Sequence, residues 1–228
     1  MASRLLLLRS MNTIRGLYRE GGIKAVIVRS VKKLMSPVIS VGSLIFVECE
    51  LRKPLPRKAA LAEVLAREAV LADASLFENP QIFIKRLRAG KRCFIGIDSA
   101  TGKLANYRWI ATWTEYIPEI DRDIVLRPGE AYSYDLRTLP EFRRRGIDAY
   151  TRNRTYQCLR DQGFSKVYAY IRADNFPMLK SSRPLLKPIG RVWYVRFRRS
   201  KCFVFGERRN GLASLVTTPC SGAGIQAA

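Results

Sequence analysis

The chain has 228 residues, a length that suits one domain with some additional terminal residues. Its 47% of hydrophobic and 26% of charged residues are typical of globular proteins. Its 41 lysines and arginines outnumber its 19 acidic residues, so the formal net charge is +22, which predicts an anionic partner: a phosphorylated cofactor, an anionic membrane surface or nucleic acid. Because the chain contains no histidine, zinc sites with histidine ligands, histidine-containing triads and a histidine general base are excluded.

The first 36 residues predict a basic amphipathic helical arm. They carry eight basic residues and a single acidic one, Glu20, and from residue 23 their apolar positions follow helical spacing. Two interpretations remain open: the arm binds an anionic membrane surface, or it packs on the domain and exposes its charges to water. It does not span a bilayer, because charged residues interrupt every apolar run well short of the ~20 residues that a span requires. The apolar positions of this face are Val26, Ile27, Val31, Leu34 and Met35.

Residues 37–206 predict a single domain that mixes strands with helices. Strands are expected at residues 38–50, 92–98, 104–113, 131–138, 191–197 and 202–205, with a further strand after Gly163. Helices are expected at residues 59–73, rich in Ala, Leu and Glu, at 80–89, closed by Gly90, at 147–162 and, briefly, after Asn175. The chain then turns to Gly, Ala, Ser, Thr and Pro, which predicts a disordered tail at 207–228.

The five cysteines are odd in number, scattered, and contain no C-x-x-C pair. This pattern predicts reduced thiols of a cytosolic protein, which act mostly as small buried hydrophobic residues. The cysteines are Cys49, Cys93, Cys158, Cys202 and Cys220.

A strand, a basic turn and a helix follow one another at the centre of the domain. Pro140 ends the strand because proline has no N–H for the ladder, and a turn from Arg143 to Gly146 leads into a helix that opens at Ile147. A turn at a helix start offers free backbone N–H groups and the positive end of the helix dipole. With three arginines beside it, this turn is a candidate phosphate site; the alternative is a basic turn before a solvated helix.

The residues of this unit carry a resemblance to a known family. The stretch LRTLPEFRRRGID, residues 136–148, resembles the acyl-CoA signature of the GNAT N-acyltransferase superfamily. Pro140, Phe142, Arg143 and Gly146 match that signature. The order of predicted strands and helices over residues 38–206 is also the one expected for a GNAT fold.

The chain departs from the family pattern at three positions. Thr138 stands where valine is common, and Asp148 stands where glycine or alanine is usual. A carboxylate at position 148 would repel a pyrophosphate unless it is turned away as a helix cap. In the family, the next strand commonly ends in an asparagine, here Asn175, and a tyrosine seven residues later often serves as general acid. Ser182 holds that position here.

The resemblance implies a fold and an activity. The fold would be a mixed α/β GNAT-like fold, with a central, mostly antiparallel twisted sheet flanked by helices. The activity would be the transfer of an acyl group from a CoA thioester to a primary amine, with acyl-CoA as donor substrate, an acyl carrier protein as the alternative donor, and no metal.

The same resemblance implies where the donor binds. The pyrophosphate would be held by backbone N–H groups of residues 144–148 and by the arginines, and the thioester carbonyl would be polarised by a backbone N–H near residues 135–137. The expected donor-binding residues are Leu136, Arg137, Thr138, Arg143, Arg144, Arg145, Gly146, Ile147, Asp148 and Asn175.

Two carboxylates are candidates for the base that deprotonates the amine. Asp135 and Glu115 could act directly or through water if burial raised the pKa of the carboxyl group. The alternatives are an ion pair between Asp135 and an arginine of the turn, and a plain loop charge at Glu115. Ser182 and Tyr156 are the candidates for the acid that protonates the departing thiolate.

The acceptor is not fixed by these residues. Four aromatic residues either line an acceptor groove or belong to the core: Tyr107, Trp109, Trp113 and Tyr134. The family that this chain resembles includes enzymes that acylate lipid amines, such as the sphingoid bases of bacterial ceramide synthesis, and the basic arm favours a membrane lipid amine of this kind. An amino sugar or a protein amine is the alternative. A non-catalytic protein that binds nucleic acid or the ribosome is less expected, because no RNA-reading aromatic motif is present.

Overall fold

The structure, a computed structural model, describes residues 39–53, 63–197, 202–205 and 216. The predicted arm lies outside these ranges, as does the predicted tail apart from Val216. The described strands are β1 (Ile39–Glu50), β2 (Val64–Glu68), β3 (Arg92–Asp98), β4 (Leu104–Ala111), β5 (Thr114–Ile117), β6 (Arg122–Val125), β7 (Glu130–Thr138), β8 (Lys166–Arg172), β9 (Lys187–Phe197) and β10 (Cys202–Phe205). The described helices are α1 (Pro80–Arg88), α2 (Ile147–Asp161) and α3 (Phe176–Ser182), with 3-10 helices at Leu71–Leu76 and Pro140–Phe142.

Eight of these strands form one sheet in the order β10-β9-β1-β8-β7-β4-β3-β2. Every neighbouring pair is antiparallel except β7 and β8, which run parallel. The predicted mixed fold with a mostly antiparallel central sheet is therefore confirmed.

The sheet splits between β7 and β8. These two strands pair over only three positions, of which Tyr132 opposite Tyr168 is the last. Beyond that pair β7 continues alongside β4 as far as Thr138, and β8 continues alongside β1 as far as Arg172. The two inner edges are thus left without a partner strand in the described part of the chain, and we call this opening the split.

The helix predicted at residues 59–73 is wrong over its described part. Val64–Glu68 is strand β2, which pairs antiparallel with β3, and Leu71–Leu76 is a 3-10 helix. The helix preference of Ala, Leu and Glu amounts to only tenths of a kcal/mol per residue. The open edge of β3 supplies backbone hydrogen bonds, and burial of Val64 adds to them, so tertiary pairing decides the outcome.

A hairpin that the sequence did not predict follows β4. The strand expected at residues 104–113 ends at Ala111, and β5 and β6 then form a separate two-stranded sheet, which we call the hairpin. Ile117, Ile120 and Ile124 are fully buried against the main sheet. Val216, from the segment predicted to be disordered, forms an antiparallel bridge with Ile124.

The two faces of the sheet carry different elements. On one face Phe83 of α1 packs on Trp109, and the hairpin packs on β1, β7, β8 and β9; Tyr134, directly opposite Trp109, touches both groups. On the other face Tyr156 of α2 packs on Ile110. Because successive side chains of a strand point to opposite faces, we call these the α1 face and the α2 face.

Two cysteines lie in the core, as the sequence predicts. Cys49 and Cys93 are 2% and 0% exposed. Burial raises the pKa of the Cys49 thiol to about 11, although the nearby Arg152 opposes that shift, and burial raises the pKa of Cys93 further. Both thiols are therefore protonated and unreactive at neutral pH.

An ion cluster anchors the start of α2 to the sheet. Arg108 of β4 and Arg152 of α2 are only 2% and 3% exposed, and they share the carboxylate of Asp148. Asp148 Oδ1 accepts a hydrogen bond from Arg108 Nη2 at 2.7 Å, and its Oδ2 lies 3.5 Å from Arg152 Nη1. Asp148 does not cap the helix; its carboxylate pairs instead with these two buried guanidinium groups.

We expect the substitution Asp148→Asn to lower the free energy of unfolding by about 3 kcal/mol, because it leaves two buried guanidinium groups without a counter-charge. Urea denaturation followed by tryptophan fluorescence measures this loss. The matched control is Asp161→Asn at the exposed end of the same helix, which we expect to change stability by less than about 0.5 kcal/mol. Equal losses in the two variants would contradict the role given to Asp148.

Candidate active site

The basic turn lies between the end of β7 and the start of α2. Phe142 is buried beneath it, and Arg143 donates from Nε to the carbonyl oxygen of Thr138 at 3.1 Å. Gly146 precedes the helix with φ 75°, a left-handed conformation that suits glycine, and no side chain caps the helix. The first N–H groups of α2 are therefore not occupied by a capping side chain, and the exposed side chains around them are Arg143, Arg144 and Arg145.

A bulge in β7 lies beside the split. Trp109 pairs with Tyr134 and Tyr107 pairs with Arg137, so two residues of β7, Asp135 and Leu136, oppose a single residue of β4. Asp135 has φ 41°, which is uncommon for a residue with a side chain. Bulges re-aim side chains next to functional sites, and this one directs Asp135 towards α1.

Asp135 is held by a cation from α1. Its carboxylate, 40% exposed, pairs with Arg86 Nη1. The Arg86 guanidinium lies over the rings of Trp109 and Tyr134, at 5.0 and 5.8 Å from their centroids. The alternative in which Asp135 pairs with an arginine of the turn is therefore wrong, and the partner comes from the helix that covers this face.

A groove of about 420 Å³ opens beside Asp135. Its volume is within the range of small-molecule sites. Of the aromatic residues considered from the sequence, Tyr107 and Trp109 line it, whereas Trp113 is 74% exposed on the way to the hairpin. Its apolar wall is formed by Leu76, Phe77, Ile82, Phe83, Leu104 and Leu139, and its charged groups are Glu78, Arg86, Asp135, Arg137 and Glu141.

Glu115, the second predicted base, lies on β5 of the hairpin. Its carboxylate, 17% exposed, forms a salt bridge of 3.0 Å with Lys91. Burial, and after it the negative charge of Glu115, raises the pKa of the Tyr134 hydroxyl well above its usual value. Glu115 and Asp135 thus flank Tyr134 on the α1 face.

A second tyrosine and carboxylate lie across the split. Tyr170 of β8 donates a hydrogen bond from its hydroxyl to Glu119 of the hairpin at 2.7 Å. Sequence reasoning missed both residues because it did not predict the hairpin. A signal was present: β7 and β8 both read Tyr-x-Tyr, at Tyr132 and Tyr134 and at Tyr168 and Tyr170, so that tyrosines of the same face line both strands.

The predicted acids lie elsewhere. Ser182 is 3% exposed and donates its hydroxyl proton to the carbonyl oxygen of Met178 at 2.7 Å, within α3. Tyr156 is fully buried on the α2 face, with Arg108 over its ring at 5.7 Å. Asn175 caps α3 by accepting from the backbone N–H of Met178 at 3.3 Å.

The remaining predicted donor residues surround the end of β7. Arg137 forms a double hydrogen bond with Glu78, at 2.9 and 3.1 Å. The Thr138 hydroxyl accepts from Asn106 Nδ2 at 2.8 Å, and Leu136 is half-buried. Ile147, the first residue of α2, is buried.

No three Cys, Asp or Glu side chains in the described ranges come close enough together to hold a metal ion. None of the helices described above is both long and apolar enough to cross a membrane.

The comparisons with known proteins find similarity among solved structures. No protein-family model and no curated protein matches the chain, whereas 96 chains of solved structures do. A tandem GNAT protein from the clavulanic acid biosynthesis pathway, solved without acetyl-CoA, aligns over 74% of this chain and 57% of its own length, at 15% identity and a TM-score of 0.51. A GCN5-related N-acetyltransferase from Sphaerobacter thermophilus aligns over 79% of this chain and 58% of its own, at 10% identity and a TM-score of 0.49.

This chain thus spans less than three fifths of the length of either of these two structures. At such low identity the likeness is one of fold. The resemblance of residues 136–148 and the structural likeness agree, and the chain has the fold of the GNAT superfamily of N-acyltransferases.

Proposed function

We propose that the protein is an N-acyltransferase that moves an acyl group from a CoA thioester to a primary amine. The observation that carries the proposal is the split between β7 and β8, which opens beside a basic turn at the uncapped start of α2. This pairing of an anion site with two free strand edges suits a ligand that has phosphates at one end and an extended amide chain behind them.

The turn supplies the anion site. A pyrophosphate accepts hydrogen bonds from the N–H groups at the start of α2, and the helix dipole favours its negative charge there. Arg143, Arg144 and Arg145 add three exposed cations. Asp148 does not oppose this binding, because its carboxylate is already shared by the buried Arg108 and Arg152.

The split supplies the site for the pantetheine arm. The inner edge of β7 is unpaired beyond Tyr132 in the described residues, and an extended chain with amide groups can add to such an edge as a further strand. This arrangement brings the thioester to the bulge at Asp135 and Leu136, where a backbone N–H polarises its carbonyl.

Two protons must be handled in the reaction. An alkylamine arrives as an ammonium ion, so it must lose one proton before it can attack, and the nitrogen loses a second after attack. Asp135 is the base that we assign to the first proton, because it borders the groove and is partly exposed. Glu115, paired with Lys91 behind Tyr134, is the alternative.

The groove beside Asp135 supports an acceptor amine with an apolar body. Its wall is mostly aliphatic and aromatic, and Asp135 with its partner Arg86 lines it at the β7 bulge, where the amine would react. A lipid amine such as a sphingoid base has this chemistry. An amino sugar or a protein amine would leave the apolar wall exposed to water, which is less favourable.

We expect the double variant Arg143→Ala/Arg145→Ala to bind CoA about 30-fold more weakly, because two charge-assisted contacts worth about 2 kcal/mol in total are lost. Titration calorimetry at several salt concentrations should also show a smaller salt dependence. The control is Arg154→Ala/Arg160→Ala on the body of the same helix, with the same loss of charge. Equal affinities in the two double variants would contradict the assignment of the turn.

We expect Asp135→Asn to lower turnover about 100-fold while CoA affinity stays within about twofold, because a base is lost and donor contacts are not. The loss should shrink as pH rises towards the pKa of the amine, since the free amine no longer needs a base. Asp121→Asn is a matched control, because Asp121 is also exposed and has a positive φ of 53°, which asparagine tolerates. Full turnover by Asp135→Asn would assign the base to Glu115.

We expect transfer to dodecylamine to be faster than transfer to glucosamine or to a lysine peptide, with acetyl-CoA or hexadecanoyl-CoA as donor. In the groove, Ile82→Lys should raise the KM for dodecylamine about tenfold, because a charge replaces apolar surface of a side chain that is 50% exposed. Leu65→Lys is the control, since Leu65 is 54% exposed on β2 and does not line the groove. Preference for glucosamine or the peptide would overturn the lipid-amine assignment.

A further inference from the structure

We propose that Tyr170 and Glu119 form a relay that carries the second proton, from the nitrogen of the attacking amine to the sulfur of the departing CoA. The inference rests on the proposed function and adds a catalytic pair to it. In this relay Tyr170 of β8 contacts the reacting atoms, and Glu119 of the hairpin holds the proton between the two transfers.

The position of Tyr170 follows from the register of the sheet. Tyr168 belongs to the last pair between β8 and β7, and Tyr170 comes two residues later, on the same face and beyond the point where the strands part. Its ring lies 6.4 Å from that of Tyr132 and 6.1 Å from that of Phe46. Tyr170 therefore stands on the wall of the split opposite Tyr134 and the bulge.

The hairpin fixes the hydroxyl group of Tyr170. Its proton is donated to Glu119 Oε2 at 2.7 Å, and Glu119 lies in the turn between β5 and β6, between the buried Ile117 and Ile120. This contact gives the pair two exchangeable proton positions in line: one on the tyrosine oxygen and one on the carboxylate.

The surroundings of Tyr170 favour its neutral form. Burial, then its hydrogen bond with Glu119, raises the pKa of the hydroxyl well above its ordinary value. Tyr194 acts in the same direction, whereas Arg172 acts against it. A tyrosine that stays protonated can pass a proton on only if it receives another at the same time, which is the behaviour of a relay.

The relay moves one proton from nitrogen to sulfur and leaves Tyr170 and Glu119 as they began. After the neutral amine forms the C–N bond, the nitrogen is positive and the carbonyl oxygen negative. The nitrogen gives its proton to the oxygen of Tyr170 while the hydroxyl proton of Tyr170 moves to Glu119. When the C–S bond breaks, the electron pair leaves with sulfur, which takes a proton from Tyr170 as Glu119 returns the stored one. A carboxylic acid is a stronger acid than a thiol, so the return is downhill.

Other hydroxyl groups are less suited to this task. Ser182 and Tyr156 are buried on the α2 face, and the Ser182 proton is donated within α3. Tyr134 faces the split, but the Arg86 guanidinium, which is paired with Asp135, lies over its ring at 5.8 Å from the centroid.

The same strand offers a matched control. Tyr168 donates its hydroxyl proton to Glu130 at 3.0 Å, on the same face and two residues earlier. This pair has the same chemistry as Tyr170 and Glu119, but it lies where β7 and β8 are still joined. Tyr168→Phe therefore removes a similar hydrogen bond without reaching the split.

The test compares two leaving groups in the full chain, with dodecylamine as acceptor. With acetyl-CoA we expect Tyr170→Phe and Glu119→Gln each to lower turnover about 100-fold, and the double variant to be no worse, because the two residues act as a unit. With phenyl thioacetate, the acidic aryl thiol leaves as its thiolate while the nitrogen still carries its proton, and the protonated amide then loses that proton to water. We therefore expect the Tyr170→Phe variant to come within about threefold of the unaltered protein with this donor. Tyr168→Phe should keep its turnover with both donors.

The outcomes separate the possible errors. Equal losses with both donors would mean that Tyr170 only supports the fold, and this result would overturn the relay. A loss in Tyr168→Phe as large as in Tyr170→Phe would overturn it as well. If the unaltered protein transfers no acyl group, the proposed function and the relay fail together; if it does and the donor dependence is absent, only the relay fails.

Discussion

One carboxylate shared by two buried guanidinium groups is the constraint on which the rest of the structure depends. Asp148 joins Arg108 of the sheet to Arg152 of the helix, and so fixes the start of α2 against β4. Two cations against one anion leave this region positive, and buried cations are costly unless anions lie near them. The cluster therefore orients the helix start and also adds to the attraction that the neighbouring basic turn exerts on a phosphate.

The two faces of the sheet present different chemical groups next to the split. The α2 face holds the buried Arg108 and Arg152 and the uncapped start of α2, which suit the anionic donor of the proposed reaction. The α1 face holds the groove, the carboxylates and the tyrosines that point into the split, which favour the amine and its protons. For the reaction proposed above, donor and acceptor meet at the split, where β7 and β8 part beyond Tyr132.

The sequence predicted the parts that depend on local pattern. Pro140, Gly146 and the three arginines between them are a strand end, a turn and a helix start, and those features follow from backbone chemistry alone. Val64–Glu68 shows the limit, because an Ala- and Leu-rich stretch became an edge strand once β3 was available. The partners of Asp135 and Asp148 could not be predicted either: Arg86 and Arg108 lie far away in sequence, and only packing brings them near.

The place of β1 in the sheet bears on how the protein folds. This strand is synthesised before both of its partners, β8 and β9, which lie more than a hundred residues further along the chain, as the pairing of Leu44 with Arg172 shows. Contacts so distant in sequence must wait for a large loop to close, which slows folding. Until then both edges of an apolar strand are open to other chains. We expect the nascent protein to depend on protection of β1, and a chaperone that binds extended apolar segments would meet that need.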